Sequence, residues 1–202
     1  MKSNKELVEH LKKEGVLKTP KIIEAFEKID RADFVKDEYK GEAYFDYPLP
    51  IGYGQTISQP YTVAFMLELL QPKEGDKVLD VGSGSGWTIA LLAYIVGEKG
   101  EVIGVERIKE LVEFGQNNLK KYNFKNARIE LAKSLGKPGM KFDKILVSAS
   151  APHLPKTLLD QLKTGGRMVI PIVDSLYKID KISDDKYEKE EHYGFLFVPL
   201  IF

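Results

Sequence analysis

Val78-Leu79-Asp80-Val81-Gly82-Ser83-Gly84-Ser85-Gly86 is the stretch that decides how the chain is read. Lys77 to Val81 is a short, largely apolar run, as a buried strand requires. Three glycines at alternate positions then break it, where the backbone must turn sharply and a ligand can approach it closely. Trp87 to Val96 follows as a helix apolar on nearly every side. Strand, glycine turn and helix in that order make a floor for a nucleotide-like cofactor. Glu106 ends the next strand, Glu101 to Glu106, where a carboxylate can accept hydrogen bonds from both hydroxyls of a ribose. Without a ligand the glycines would make only a tight turn, and Glu106 would serve the positive end of a helix beginning near Ile108. Glycines and acid together, at this spacing, favour adenosine binding.

Downstream the alternation continues: a helix over 108–121, strands over 127–131 and 142–148, a helix over 154–163 and a strand over 166–172. This pattern predicts an α/β, Rossmann-like, doubly wound, mostly parallel sheet. The tail lacks a helix, so segments 177–183 and 192–201, joined by the charged run Asp184 to Glu191, predict an antiparallel C-terminal hairpin at the sheet edge. Upstream, residues 4–13 and a stretch opened by Pro20, with Ile22, Ile23, Phe26 and Ile29 on one face, predict a helical N-terminal extension. Residues 41–59, rich in Gly, Pro and Tyr, read as loop, and Pro60 opens a helix to about Leu70. The chain divides into a prefix over 1–75 and a core over 76–202 within one domain, 1–202.

Thirty Lys plus Arg against thirty Asp plus Glu leave no net field to gather nucleic acid or an anionic membrane. The longest apolar run, Ile89 to Val96, is far short of the roughly 20 residues of a membrane helix. The N-terminus opens on a polar stretch rather than a signal peptide, so a cytoplasmic protein is expected. With no cysteine and only His10, His153 and His192, spread far apart, no metal site is expected. Lys109, Lys120 and Lys121 read as solvated helix faces, Trp87 as core, and His153, close after a strand end, as a surface or hydrogen-bonded residue.

Glycine spacing chooses the cofactor. A dinucleotide fingerprint, G-x-G-x-x-G, would place its last small residue at Trp87, which opposes a dinucleotide-dependent oxidoreductase. The pattern here, G-x-G-x-G after Asp80, resembles motif I of the S-adenosyl-L-methionine-dependent methyltransferases. That resemblance implies that Asp80, Gly82 and Gly84 face the methionine half of the cofactor and that Glu106 binds its ribose.

Pro48 through Leu70 begins Pro-Leu-Pro-Ile-Gly-Tyr-Gly-Gln-Thr-Ile-Ser-Gln-Pro-Tyr-Thr-Val-Ala and closely resembles the signature that precedes the core in protein-L-isoaspartate O-methyltransferases. Ile22 to Val35, Ser148-Ala149-Ser150-Ala151-Pro152, Leu159 to Lys163 and Phe197-Val198-Pro199-Leu200 extend the resemblance over most of the chain. It implies methyl transfer to L-isoaspartyl residues in damaged proteins or peptides, whose esters close to a succinimide and reopen partly as aspartate. It also implies Ser58 as the active-site serine and adds Gln55, Thr56, Ser83 and Gly86 to the cofactor-binding set. A carboxylate acceptor is already ionised at neutral pH, so the Ser58 hydroxyl need only orient it by a hydrogen bond, with no general base. Read alone, Ser58 with Thr56 would cap the helix at Pro60. Two departures stand out: Ala132-Lys133-Ser134 replaces the family's Gly-Asp-Gly, whose aspartate contacts the adenine region, and Ser150 replaces a common alanine. The remaining alternatives are a methyltransferase of this fold with another acceptor and a noncatalytic homologue with impaired cofactor binding. Amino-methyltransferases of nucleic acids are opposed by Ser148 to Pro152, where those enzymes carry Asn/Asp-Pro-Pro-Tyr/Phe.

Overall fold

The computed structural model describes residues 1–201. Ser3 caps the first helix, α1 (Asn4–Lys13), by accepting from the Glu6 amide, and α1 buries Leu7, Val8 and Leu11. Helix α2 (Pro20–Lys28) starts on the expected proline and buries Ile22, Ala25 and Phe26. Two 3-10 turns, Arg31–Phe34 and Asp37–Glu42, lead into strands β1 (Leu49–Gly52) and β2 (Gln55–Ile57), and then helix α3 (Pro60–Leu70). The core follows as β3 (Lys77–Val81), α4 (Trp87–Val96), β4 (Glu101–Glu106), α5 (Lys109–Leu119), β5 (Ala127–Leu131), β6 (Phe142–Val147), α6 (Lys156–Gln161), β7 (Leu162–Ile172), β8 (Ser175–Lys181) and β9 (Tyr187–Tyr193).

Seven strands form one sheet in the order β5-β4-β3-β6-β7-β8-β9. The first five of these are parallel, whereas β7 pairs with β8 and β8 with β9 antiparallel. The chain runs outward from β3 to β5 and then returns to the other side of β3 as β6. That reversal opens a crevice at the carboxyl ends of β3, β4 and β6. Side chains alternate between two apolar layers: Val78, Val102, Leu146 and Val169 pack toward α4, α5 and the prefix helices. Leu79, Ile103, Ile145 and Met168 pack on the opposite face, with Leu158 of α6. By the same alternation Asp80 and Glu106 fall on the face covered by α4 and α5.

Two expectations need correction. Residues 41–59 are not loop throughout, because Leu49–Gly52 and Gln55–Ile57 pair as a hairpin. Tyr53 and Gly54, both at positive φ (56° and 69°), make its two-residue turn, and Leu49, Ile51 and Ile57 are buried. The glycines that break the period are thus the turn itself. The C-terminal hairpin exists at the sheet edge, but its second strand begins inside the charged run, at Tyr187. An edge strand exposed along nearly its whole length needs no apolar alternation, so its composition reads as loop. Residues 194–201 instead cross back over the sheet end, where the Ser150 amide donates to the Val198 carbonyl (2.8 Å) and the Leu200 amide to the Ser150 carbonyl (2.8 Å). No helix among the described residues is long and apolar enough to cross a membrane.

Candidate active site

The turn from β3 into α4 passes through Gly82, Gly84 and Gly86, all at positive φ. At Gly86, the residue that caps α4, a Cβ would also stand 3.1 Å from the Gly115 carbonyl oxygen, so conformation and space both require glycine. The Gly82 amide donates to the Val105 carbonyl (2.8 Å), which fastens the turn to the end of β4.

Glu106, buried at that strand end, accepts from the Gly84 amide (3.2 Å) and the Ile108 amide (2.9 Å). The carboxylate therefore joins the glycine loop to the start of α5, which fixes its direction. Two of its roughly four acceptor positions are used, and the others remain for hydroxyl donors. Service to the helix start and capacity for a ribose coexist in one side chain.

Asp80 is fully buried. Thr88 donates its hydroxyl to one carboxylate oxygen and Ser148 donates to the other (3.2 Å). Burial pushes the Asp80 carboxyl up to about 6, those two hydrogen bonds oppose the shift, and the charge of Glu106 adds to it. A buried carboxylate without a cationic partner among the described residues suits a ligand that brings a positive charge.

Three cavities run through this region. One of about 240 Å³ lies against Gly82, Glu106, Ala132, Lys133, Ser134 and Gln55, with Pro199 to Ile201 across it. A second, of about 30 Å³, is bounded by the glycine loop and Ser148 on one side and by Thr56, Ile57 and Ser58 on the other. Its lining includes Ser83 and Trp87, whose buried Oγ and Nε1 have no hydrogen-bond partner among the described residues. A third, of about 290 Å³, opens outward between Pro48, Ser58, Thr62, Ser148 and Leu196 to Val198. Gly82 borders the first two and Ser58 the last two, so the three lie side by side. Of the nine site residues expected from the sequence, Gln55, Thr56, Ser58, Gly82, Ser83, Gly84 and Glu106 line these cavities; Asp80 lies behind the lining, bonded to Thr88 and Ser148, and Gly86 caps α4.

Ser58 is not a helix cap. Gln59 occupies the capping position of α3 without a side-chain hydrogen bond to the helix amides, and the Tyr61 amide donates instead to Asp46 Oδ1 (2.8 Å). The Ser58 hydroxyl has no hydrogen-bond partner among the described residues, so it is free to meet a ligand. His153 is exposed, and Trp87 is buried edge-on against Phe26, both as expected. Thr88 and Ser148, the partners of Asp80, carry no local signal of that role in the sequence. At the β5 end of the first cavity Lys133 and Ser134 are exposed, and of the two side chains only the Ser134 hydroxyl can accept a hydrogen bond.

Known proteins carry the same pattern. The profile of the family described as Protein-L-isoaspartate(D-aspartate) O-methyltransferase (PCMT) matches residues 2–201. A protein-L-isoaspartate O-methyltransferase of Methanopyrus kandleri is 45% identical over 207 residues, covering 99% of this chain and 92% of that protein. One of Pyrococcus horikoshii is 47% identical over 204 residues, covering 98% and 92%. A Plasmodium falciparum chain described as a beta-aspartate methyltransferase of this kind, crystallised with S-adenosyl-L-homocysteine, superposes with a TM-score of 0.85 at 30% identity, covering 100% of this chain and 99% of that one. With the profile and these relatives spanning almost every residue, the chain belongs to the protein-L-isoaspartate(D-aspartate) O-methyltransferase family.

Proposed function

We propose that this chain transfers the methyl group of S-adenosyl-L-methionine to the free α-carboxylate of L-isoaspartyl residues in damaged proteins and peptides. The observation that carries the reading is the meeting of Ser58 and the glycine loop across one small cavity, with a cavity lined by Glu106 on one side of it and one lined by Pro48, Thr62 and Leu196 to Val198 on the other. The residues suit the cofactor: Asp80 offers a buried carboxylate to an ammonium group, and Glu106 keeps acceptor capacity for ribose hydroxyls. When bound, S-adenosyl-L-methionine supplies a methyl activated by its sulfonium. Gly82, Ser83, Gly84 and Gly86 form the floor beneath it, and Gln55 and Thr56 close over it.

Ser58 donates its hydroxyl to one oxygen of the acceptor carboxylate and holds the other toward the methyl. No proton has to move, because a carboxylate is ionised at neutral pH. Orientation and exclusion of water are what the site contributes. In this reading the prefix, residues 1–75, covers the acceptor and residues 76–202 hold the cofactor. The partners are damaged proteins in the cytoplasm, not nucleic acid or membrane.

The test is transfer of radiolabelled methyl to a short L-isoaspartyl peptide beside its aspartyl twin. Base-labile label on the isoaspartyl peptide alone is the expected result. Equal labelling, or none from a folded protein that binds S-adenosyl-L-homocysteine, would refute the acceptor assignment.

A further inference from the structure

Arg31 is the largest charged side chain buried in the molecule, with no exposed surface at all. It makes no ion pair among the described residues. Instead its guanidinium spends four donors on main-chain carbonyls: Nη1 donates to Ala43 (2.8 Å) and Phe45 (3.2 Å), and Nη2 to Tyr47 (3.0 Å) and Ser58 (3.1 Å). The group lies 5.4 Å above the Trp87 ring, and Trp87 is the first residue of the helix that follows the glycine loop. Burial pushes its pKa down to about 10, which leaves it charged at neutral pH.

Carbonyls 43, 45 and 47 belong to the irregular stretch before β1, and carbonyl 58 follows β2. One planar fork thus closes the two ends of the hairpin segment on each other. Its geometry sets where Ser58 stands relative to Trp87 and the loop behind it. A second tie acts in the same place, because Gln59 Nε2 donates to the Asp46 carbonyl (3.1 Å) and Asp46 receives the Tyr61 amide. A structural cation could be anchored by a carboxylate; here every bond goes to backbone of the acceptor segment.

We infer that Arg31 is a positioning residue for methyl transfer: its guanidinium holds the backbone of residues 43–58 so that the Ser58 hydroxyl faces the glycine loop. The inference rests on the proposed function and deepens it. Lysine keeps the charge and loses the fork, so Arg31→Lys separates geometry from charge.

The experiment measures kcat, KM for an L-isoaspartyl peptide, the Kd of S-adenosyl-L-homocysteine and the Tm. It compares wild type, Arg31→Lys and Leu158→Ala, the last a core substitution on the opposite face of the sheet that lowers stability without touching the carbonyls. Arg31→Lys is expected to lose about five- to tenfold in kcat, no more than removal of the Ser58 hydroxyl itself, while the Kd changes less than about threefold, and Leu158→Ala to lose Tm with kcat within about twofold. An Arg31→Lys enzyme with nearly wild-type kcat would overturn the inference. So would a loss of kcat matched by Leu158→Ala at equal Tm. Inactive wild type would instead count against the proposed function, so the two failures are distinguishable. If Arg31→Lys does not fold, amide exchange of the unaltered protein decides. The Phe45, Tyr47 and Tyr61 amides are expected to open together, and independent fast opening of residues 45–47 would remove the clamp.

Discussion

The glycine loop and the acceptor segment face each other across one cavity, yet they are held by different kinds of contact. Residues 80–106 reach the site through neighbours in sequence: one strand, one turn, one helix and the next strand place Asp80, the glycines and Glu106. Residues 43–61 reach it through Arg31 and Asp46, with hydrogen bonds spanning 12 to 27 residues. A pocket built from consecutive elements is fixed as soon as the sheet forms. A pocket tied by a few long-range polar bonds can lose its geometry while the sheet persists.

The largest effect is expected on the side of the glycine loop. Asp80→Asn is expected to weaken S-adenosyl-L-homocysteine at least a hundredfold, by titration calorimetry, while making the ligand-free protein more stable at pH 7. The sign follows from the pKa: the folded value, about 6, stands above the unfolded one near 3.8. The penalty for an ionised Asp80 is absent below pH 4, grows between pH 4 and 6 and is complete above that. At about 1.4 kcal/mol for each pK unit, the gain from asparagine is bounded at roughly 3 kcal/mol. Denaturant unfolding of both proteins at pH 3.5 and pH 7 checks it; equal differences at the two pH values would remove the argument. Cofactor affinity should also fall as pH drops through 6.

Glu106→Ala comes next, because it removes both the ribose acceptor and the bond to the Gly84 amide. A 30- to 100-fold rise in Kd is expected, about 2–3 kcal/mol, with kcat recovered at saturating cofactor. Ser58→Ala should do the reverse: kcat lower by about tenfold, some 1.4 kcal/mol, with Kd within twofold and Tm unchanged. Asp46→Ala sharpens the contrast, since the true cap of α3 should cost about 1 kcal/mol of stability. The smallest effect belongs to Lys133→Asp, which restores the family's carboxylate at the β5 end. A few-fold tighter Kd is expected, and a weaker one would show that Lys133 is not a deficit.

The same division governs what could be read from the sequence. The core strands 77–81, 101–106 and 127–131 and the helices 60–70 and 87–96 fall where hydrophobic period and punctuation put them. The meeting of Asp80, the glycines and Glu106 around one crevice was legible because their spacing sets them at the ends of neighbouring strands. Ser58 entered as a candidate only through resemblance, since its neighbours alone suggested a cap that Asp46 supplies. Arg31 looked like one of four ordinary arginines, because a bond from a side chain to carbonyls 12 to 27 residues away leaves no mark in a local pattern. β9 was misplaced because a solvent-facing edge strand is free to be charged.

That edge has a consequence for an enzyme that handles worn polypeptides. Glu188, Lys189, Glu190 and Glu191 stand along β9, all exposed, and Arg128 and Glu130 stand on β5 at the opposite margin. A sheet margin is a row of unpaired donors and acceptors that invites a passing extended chain to add itself as another strand. Damaged, partly unfolded proteins are full of such chains. Charge along both margins makes that capture unfavourable, so frayed backbone gains no hold at either end of the sheet.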